Sequence, residues 1–280
     1  QRVAVSKASV RSQMNFQRAI GKASLRVTCD EAGVTRLKDL RQEGSMRLVF
    51  PRSTQQTVDA VILNTAGGVT GGDFFAIEAN VDEYARLSLT TQAAERIYCA
   101  ATEDFGQLQN KLTVADNAQL YWLPQETILF DGCRLKRRLD VDLSNTARFL
   151  MLEPLVFGRE ASGEDLKSCV FSDRVSITCD GSPIYIDGIQ LDGGITKNLR
   201  QRAVGNTARA LANIVLFDRD ATQLLDPVRA LLPASAGASL IGENLLVVRM
   251  LARDSFDLRT ALLPILTLLT NNTVPKNWRL

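Results

Sequence analysis

From Ala23 to Leu191 the chain is a succession of short runs in which apolar and polar residues alternate, punctuated by Gly, Pro, Asp and Asn. A period of two puts alternate side chains on opposite faces of an extended strand. The runs are Ala23–Cys29, Met46–Phe50 (ended by Pro51), Val58–Leu63, Phe74–Val81, Arg86–Gln92, Gln107–Val114, Gln119–Leu123, Leu135–Leu143, Arg148–Leu152, Cys169–Cys179 and Ile184–Leu191. Ala93–Ala101 has helix formers, but its strand neighbours and Ile97-Tyr98-Cys99 favour extended structure with a bend. Strand-like runs recurring about every ten residues imply stacked sheets or a β-solenoid-like sandwich. No sequence repeat of fixed period accompanies them.

The pattern changes near residue 205. Arg209–Phe217 and the strongly apolar Asn244–Leu251 read as further strands. Two helices are expected late in the chain. One lies near 220–232, with Leu224, Leu225, Val228, Leu231 and Leu232 at helical spacing, Pro227 inside and Pro233 at its end. The other lies near 258–269, capped by Asp257, with Pro264 inside and apolar residues all round, so it should be largely buried. The expected fold is mainly β: a stacked-sheet or β-solenoid-like sandwich with two late α-helices. Linkers are short, so residues 1–280 read as a single domain, with a weakly patterned and mobile segment at 1–19.

The residue inventory then removes whole classes of function. There is no histidine among 280 residues, which eliminates Ser-His-Asp and Cys-His catalysis and the histidine-containing zinc sites. Five scattered cysteines (Cys29, Cys99, Cys133, Cys169, Cys179) contain no CxxC pair; they read as reduced thiols of a cytoplasmic protein. With 33 basic and 31 acidic residues, no nucleic-acid surface is indicated. The cluster Arg134-Leu135-Lys136-Arg137-Arg138 reads as a solvated strand edge or a partner contact. No apolar run is long enough to span a bilayer. The start at Gln1 fits a trimmed chain and leaves a removed leader open.

Between two of the runs lies Leu63-Asn64-Thr65-Ala66-Gly67-Gly68-Val69-Thr70-Gly71-Gly72-Asp73. Gly67, Gly68, Gly71 and Gly72 allow unusual dihedrals and close backbone approach. Asp73 ends the segment either as a turn cap in a wide hairpin or as a group facing a ligand or partner. The segment is neither GxGxxG nor GxxxxGK[ST] and does not cradle a phosphate. Acidic residues recur at loop-like positions: Asp73, Glu95, Glu126, Asp131, Glu153, Glu164 and Asp165. Glu126 and Glu153 sit beside prolines in apolar surroundings. Without imidazole, any metal contact would be oxygen-rich and exchangeable, which suits transfer better than storage.

Several segments together resemble the urease accessory protein UreD (UreH) family. Leu63 to Asp73 is similar to that family's LxTAGGxxGGD block, and Thr90-Thr91-Gln92-Ala93-Ala94-Glu95-Arg96-Ile97-Tyr98 to its TTQAAEKxY block. Leu123-Pro124-Gln125-Glu126-Thr127-Ile128-Leu129-Phe130-Asp131-Gly132 resembles LPQETILFxG, and Glu153-Pro154-Leu155-Val156-Phe157-Gly158-Arg159 the next segment, which ends in GR. Val274 to Leu280 resembles the P-x-x-W terminus. Arg159 to Glu164 departs from the family's GRxAMGE, and Cys99 stands where many members carry a basic or small residue.

The resemblance implies a helix-poor β scaffold without catalysis or a tightly bound cofactor. It implies binding to apo-urease with UreF and the GTPase UreG, assisting nickel insertion, with no membrane or nucleic-acid partner. It also implies an internal metal passage, for which Asp73, Glu126 and Glu153 are the candidate transient nickel contacts, with Thr91 and Gln92 lining it. Two other readings stay open: a scaffold that bridges UreF to urease without touching metal, and a hydrolase using a carboxylate pair.

Overall fold

The computed structural model describes residues 17–52, 56–159 and 162–279. The reading of residues 1–19 as mobile lies almost wholly outside the described residues. Two sheets form. The first has seven strands in the order β14–β13–β11–β8–β5–β1–β2. These are β1 (Ile20–Cys29), β2 (Thr35–Gly44), β5 (Phe74–Val81), β8 (Gly106–Val114), β11 (Arg134–Leu143), β13 (Cys169–Cys179) and β14 (Ser182–Gly193).

The second sheet has ten, running β16–β17–β15–β12–β9–β6–β4–β3 with β7 and β10 attached beside β12. Its members are β3 (Met46–Val49), β4 (Val58–Asn64), β6 (Arg86–Thr91), β7 (Glu95–Ile97), β9 (Gln119–Leu123), β10 (Thr127–Leu129), β12 (Arg148–Phe157), β15 (Ala210–Phe217), β16 (Ala236–Ile241) and β17 (Leu245–Ala252).

From β4 to β13 the chain passes back and forth between the sheets, so successive strands of one sheet run parallel. β1, β5, β8, β11 and β13 form one parallel stack, and β4, β6, β9 and β12 the other. This is the expected solenoid-like stack, in which each sheet serves as the crossover of the other. Antiparallel strands close it: β2 and β14 flank the first sheet, and β3 and the β15–β17–β16 series flank the second. Val58 lies opposite Leu87, Arg86 opposite Gln119 and Gln119 opposite Arg148. Coil length therefore varies from one turn to the next, which is why no fixed period marks the sequence. β4 and β5 belong to different sheets, so the glycine segment between them is a sheet-to-sheet crossing and not a hairpin.

Two apolar layers result. One lies between the sheets and includes Phe75, Leu87, Leu112, Leu135, Phe149 and Phe171; the other lies between the second sheet and the late helices. β12 and β15 face both layers and are buried almost along their whole length. Hence they read as near-continuous apolar runs, broken in their interiors by Glu153 and Asn213, whereas β11 alternates. β2 (TRLKDLRQEG) is exposed along most of its length. Charge on an edge strand discourages pairing with other chains, and it also hid this strand from a search for alternation.

The helices are α2 (Ala221–Leu231) and α3 (Ser255–Leu269), joined by a short α1 (Ile195–Leu199) that the apolar periodicity did not indicate. The cap of α3 is Asp254 rather than Asp257: its carboxylate accepts the Asp257 N–H at 2.7 Å. The basic cluster is not an edge. β11 pairs with β8 on one side and β13 on the other. Arg134 and Lys136 stack on the Phe105 ring at 4.6 and 4.4 Å, while Arg137 points inward and is buried.

Candidate functional site

The second sheet is interrupted at one place. β9 pairs with β12 as far as Trp122 opposite Met151, and pairing resumes in β10 with Thr127 opposite Leu155. Between them, Leu123 to Glu126 leave Leu152, Glu153 and Pro154 without a strand neighbour on that side. The next coil is broken alongside: β6 ends at Thr91 and β7 begins at Glu95. Proline explains why the gap is tolerated. The Phe157 N–H donates to Arg209 on the β15 side and the Gly158 N–H to Leu129 on the opposite side. By alternation, an N–H at position 154 would face the gap, and proline has none to leave unpaired.

Three of the five sequence blocks thus meet, and the C-terminal block covers them from outside. Trp278, in the 3₁₀ turn Lys276–Trp278, is fully buried and donates its indole N–H to the Leu123 carbonyl at 2.9 Å. Asn277 Nδ2 donates to Thr90 Oγ1 at 3.1 Å and to the Thr91 carbonyl. Arg259 of α3 stacks on Trp278 at 4.7 Å and reaches Gln125 Oε1 at 2.7 Å and Glu126 Oε1 at 3.3 Å. Thr91 Oγ1 accepts the Gln125 N–H at 2.8 Å.

On the inner side, Glu153 extends into the space between the sheets. Trp122 Nε1 donates to it at 2.6 Å and Arg137 Nη1 pairs with it. Arg137 also binds Asp173 at 2.6 and 2.9 Å and Thr127 Oγ1 at 3.1 Å. Burial alone would lower the Arg137 pKa, but Asp173 and Glu153 outweigh it and hold the guanidinium charged. Burial pushes the Glu153 carboxyl up, against the opposing pull of Arg137. Such a buried network is stable only while every member is paired.

A cavity of about 60 Å³ adjoins this network, with Thr91, Glu95, Gln125 and Thr127 on its polar wall and Met46, Ile62 and Phe75 on its apolar wall. Burial raises Glu95 to about 7, opposed by hydrogen bonds from Asn64 Nδ2 to both carboxylate oxygens. Beyond Arg137 a second, smaller cavity is bounded by Asp173, Asp187 and Asn213. Asn213 donates to Tyr185 at 3.1 Å and Asp187 at 3.0 Å, and Asp187 pairs with the half-exposed Arg249. Gln125 Nε2 and Asn213 Oδ1 are buried without a protein partner. A polar seam therefore runs from the gap, past Glu153, to the surface at Arg249. Among the described residues no group of three or more His, Cys, Asp or Glu is placed to hold a metal ion.

The candidate residues fall into separate places. Glu153 and Thr91 line the cavity beside the gap, and Glu126 is on the gap's outer side, against Arg259. Gln92 is exposed. Asp73 is buried elsewhere: its carboxylate accepts the N–H of Ala19 and of Thr70, both at 2.8 Å, and no described hydrogen bond or ion pair joins it to Glu126 or Glu153. It fastens the glycine segment, which is stitched to β7 by Val69 N–H to Arg96 O and Tyr98 N–H to Val69 O, both 2.8 Å. A Cβ on Gly68, at φ +150°, would overlap Tyr98 and the Arg96 carbonyl, and one on Gly71 would overlap the Asp104 carbonyl. Gly67 and Gly72 also have positive φ. Arg137, Asp173 and Asn213 were not anticipated. An arginine on the otherwise apolar face of Leu135–Leu143 was the available signal for the first.

The motifs that meet at the gap are those that resemble one family, and comparison with known proteins agrees. The family model described as "UreD urease accessory protein" matches residues 19–279. The chain belongs to the UreD family of urease accessory proteins. The urease accessory protein UreD of Ruegeria pomeroyi is 50% identical over 242 residues, covering 86% of this chain and 94% of that protein. UreD of Roseobacter denitrificans is 44% identical over 264 residues, covering 94% and 96%. UreD of Mesorhizobium japonicum is 40% identical over 269 residues, covering 94% and 95%. As a member of the UreD family the chain has a role in urease maturation. No helix among its described residues is long and apolar enough to cross a membrane.

Proposed function

We propose that the chain is a non-catalytic, cytoplasmic maturation chaperone that acts with UreF and UreG on apo-urease and assists nickel insertion. The observation that carries this reading is the gap in the second sheet with the polar seam behind it. Beside the buried Arg137–Asp173 pair, the interior keeps a continuous set of oxygen donors there: Thr91, Glu95, Gln125, Thr127 and Glu153. Oxygen ligands suit a hard or borderline divalent cation held briefly. In this reading nickel is cargo and no cofactor is retained. Glu153 and Thr91 form the wall of the route, Glu126 stands at its outer rim, and Asp73 contributes by fixing the loop beside it.

A second reading, a scaffold that bridges UreF to urease and never meets the metal, is favoured by a specific fact. Each carboxylate of the candidate set is already engaged: Asp73 by two backbone N–H groups, Glu126 by Arg259, and Glu153 by Arg137 and Trp122. Co-purification with urease, UreF and UreG, followed by measured nickel transfer, separates the two. The passage reading expects Glu153→Gln to leave the complex assembled but to lower urease nickel content. Nickel content that follows complex assembly alone, across Asp73→Ala, Glu126→Gln and Glu153→Gln, favours the scaffold.

A further inference from the structure

Three of the five cysteines occupy adjacent positions at one corner of the molecule, outside the polar seam. Cys99, after β7, and Cys133, before β11, face each other in an antiparallel bridge. The hydrogen bond of that bridge runs from Ala100 N–H to the Gly132 carbonyl at 3.0 Å. Cys99 and Cys133 therefore form a non-hydrogen-bonded pair, the type whose side chains lie closest. A Cβ on Gly132 would overlap the Cys99 sulfur, so that sulfur rests over the residue next to Cys133.

On its other side Cys133 accepts the Val170 N–H at 2.9 Å, and β11 and β13 continue in parallel from Arg134 opposite Val170. Cys133 and Cys169 are thus ladder neighbours. Adjacent strands lie about 4.8 Å apart, within the Cα separations a disulfide spans. Cys169 Sγ also contacts the Phe130 carbonyl at 3.2 Å. Cys99 is exposed, whereas Cys133 and Cys169 are buried. The neighbouring Cys133 thiol lowers the Cys169 pKa, and the Cys169 thiol together with burial raises that of Cys133.

We infer that Cys99, Cys133 and Cys169 form a peroxide-responsive thiol relay, in which the exposed sulfur takes up the oxidant and the buried pair ends as the disulfide. The Cys99 thiolate attacks hydrogen peroxide, the O–O bond breaks, and Cys99 becomes a sulfenic acid as hydroxide leaves and is protonated to water. The Cys133 thiol attacks the Cys99 sulfur and expels the sulfenic hydroxyl, which leaves with the Cys133 proton as a second water, giving a Cys99–Cys133 disulfide. Cys169 then attacks the Cys133 sulfur, and the departing Cys99 thiolate takes its proton. Two thiol hydrogens and one peroxide yield one disulfide and two waters. Thiol–disulfide exchange of this kind needs attacking and leaving sulfurs within contact of one another. The relay is independent of nickel. It would tie together the loops before β11 and β13, and Cys99 itself anchors the glycine segment through Thr70 Oγ1 to its carbonyl at 2.9 Å.

The test is stoichiometric hydrogen peroxide on the reduced full-length chain, quenched with a thiol-blocking reagent and read by peptide mass spectrometry without reduction. The wild type should accumulate a Cys133–Cys169 disulfide with Cys99 still blockable. Cys99→Ser, at an exposed position, should slow that disulfide by an order of magnitude or more, and Cys169→Ser should trap Cys99–Cys133. An unchanged rate in Cys99→Ser would overturn the relay, as would wild-type protein that accumulates only sulfinic or sulfonic acid at Cys99. If Cys169→Ser misfolds by circular dichroism, the wild-type and Cys99→Ser arms still decide.

Discussion

Arg137 carries the largest single burden in the interior. It neutralises two carboxylates, Glu153 and Asp173, in a space bounded by Phe171 and Trp122. Removing it leaves both acids buried without a counter-charge, and Arg137→Met should cost roughly 3–5 kcal/mol in urea unfolding. Glu95 makes the opposite kind of statement. Its folded pKa, about 7, lies above the ordinary 4.5, so the neutral form favours the fold. That contribution is complete below about pH 4.5 and is lost as pH rises through about 7. Glu95→Gln should match wild type in stability at pH 4.5 and exceed it by about 1–3 kcal/mol at pH 8, measured as a difference in urea midpoints. Of the site residues, Glu153 and Thr91 were legible through the family blocks. Asp173 and Asn213 were not, because a polar residue within a strand reads the same whether it faces solvent or a buried arginine.

Among elements, the C-terminal turn shows how little sequence separation matters here. Lys276–Trp278 packs against residues 90, 91 and 123 and against α3. Trp278→Ala should cost about 3–5 kcal/mol from the vacated volume and the unpaired Leu123 carbonyl. Thermal unfolding of Arg259→Ala, monitored in parallel, should give a smaller loss. The glycine crossing is stiffer than its composition suggests. Gly68→Ala meets Tyr98 and the Arg96 carbonyl and should destabilise by about 2–3 kcal/mol in the same assay.

Strand positions were legible almost throughout because alternation survives wherever one face is apolar. It failed at β2, which is charged on both faces, at β16, whose Ala-Gly-Ala-Ser start carries little signal, and at β10, which is too short to show alternation. Which strands pair could not be read. Local pattern is blind to a chain that changes sheet at almost every strand.

For the molecule as a whole, three layers at the C-terminal end and two at the other predict an uneven stability. β12 and β15, covered on both faces, should hold the slowest-exchanging amides, and edge strands β2 and β16 the fastest. Hydrogen exchange followed by mass spectrometry checks this, and equal protection of β2 and β12 would contradict the layering. The gap is framed by these well-covered strands and should share their slow exchange.

The missing N–H at Pro154 gives that gap a property of its own. Even if Pro124 to Glu126 straightened into continuous strand, the ladder could not close across position 154. The opening is written into covalent structure: Trp278 and Arg259 can cover it, but no rearrangement of the backbone can supply the hydrogen bond that proline withholds.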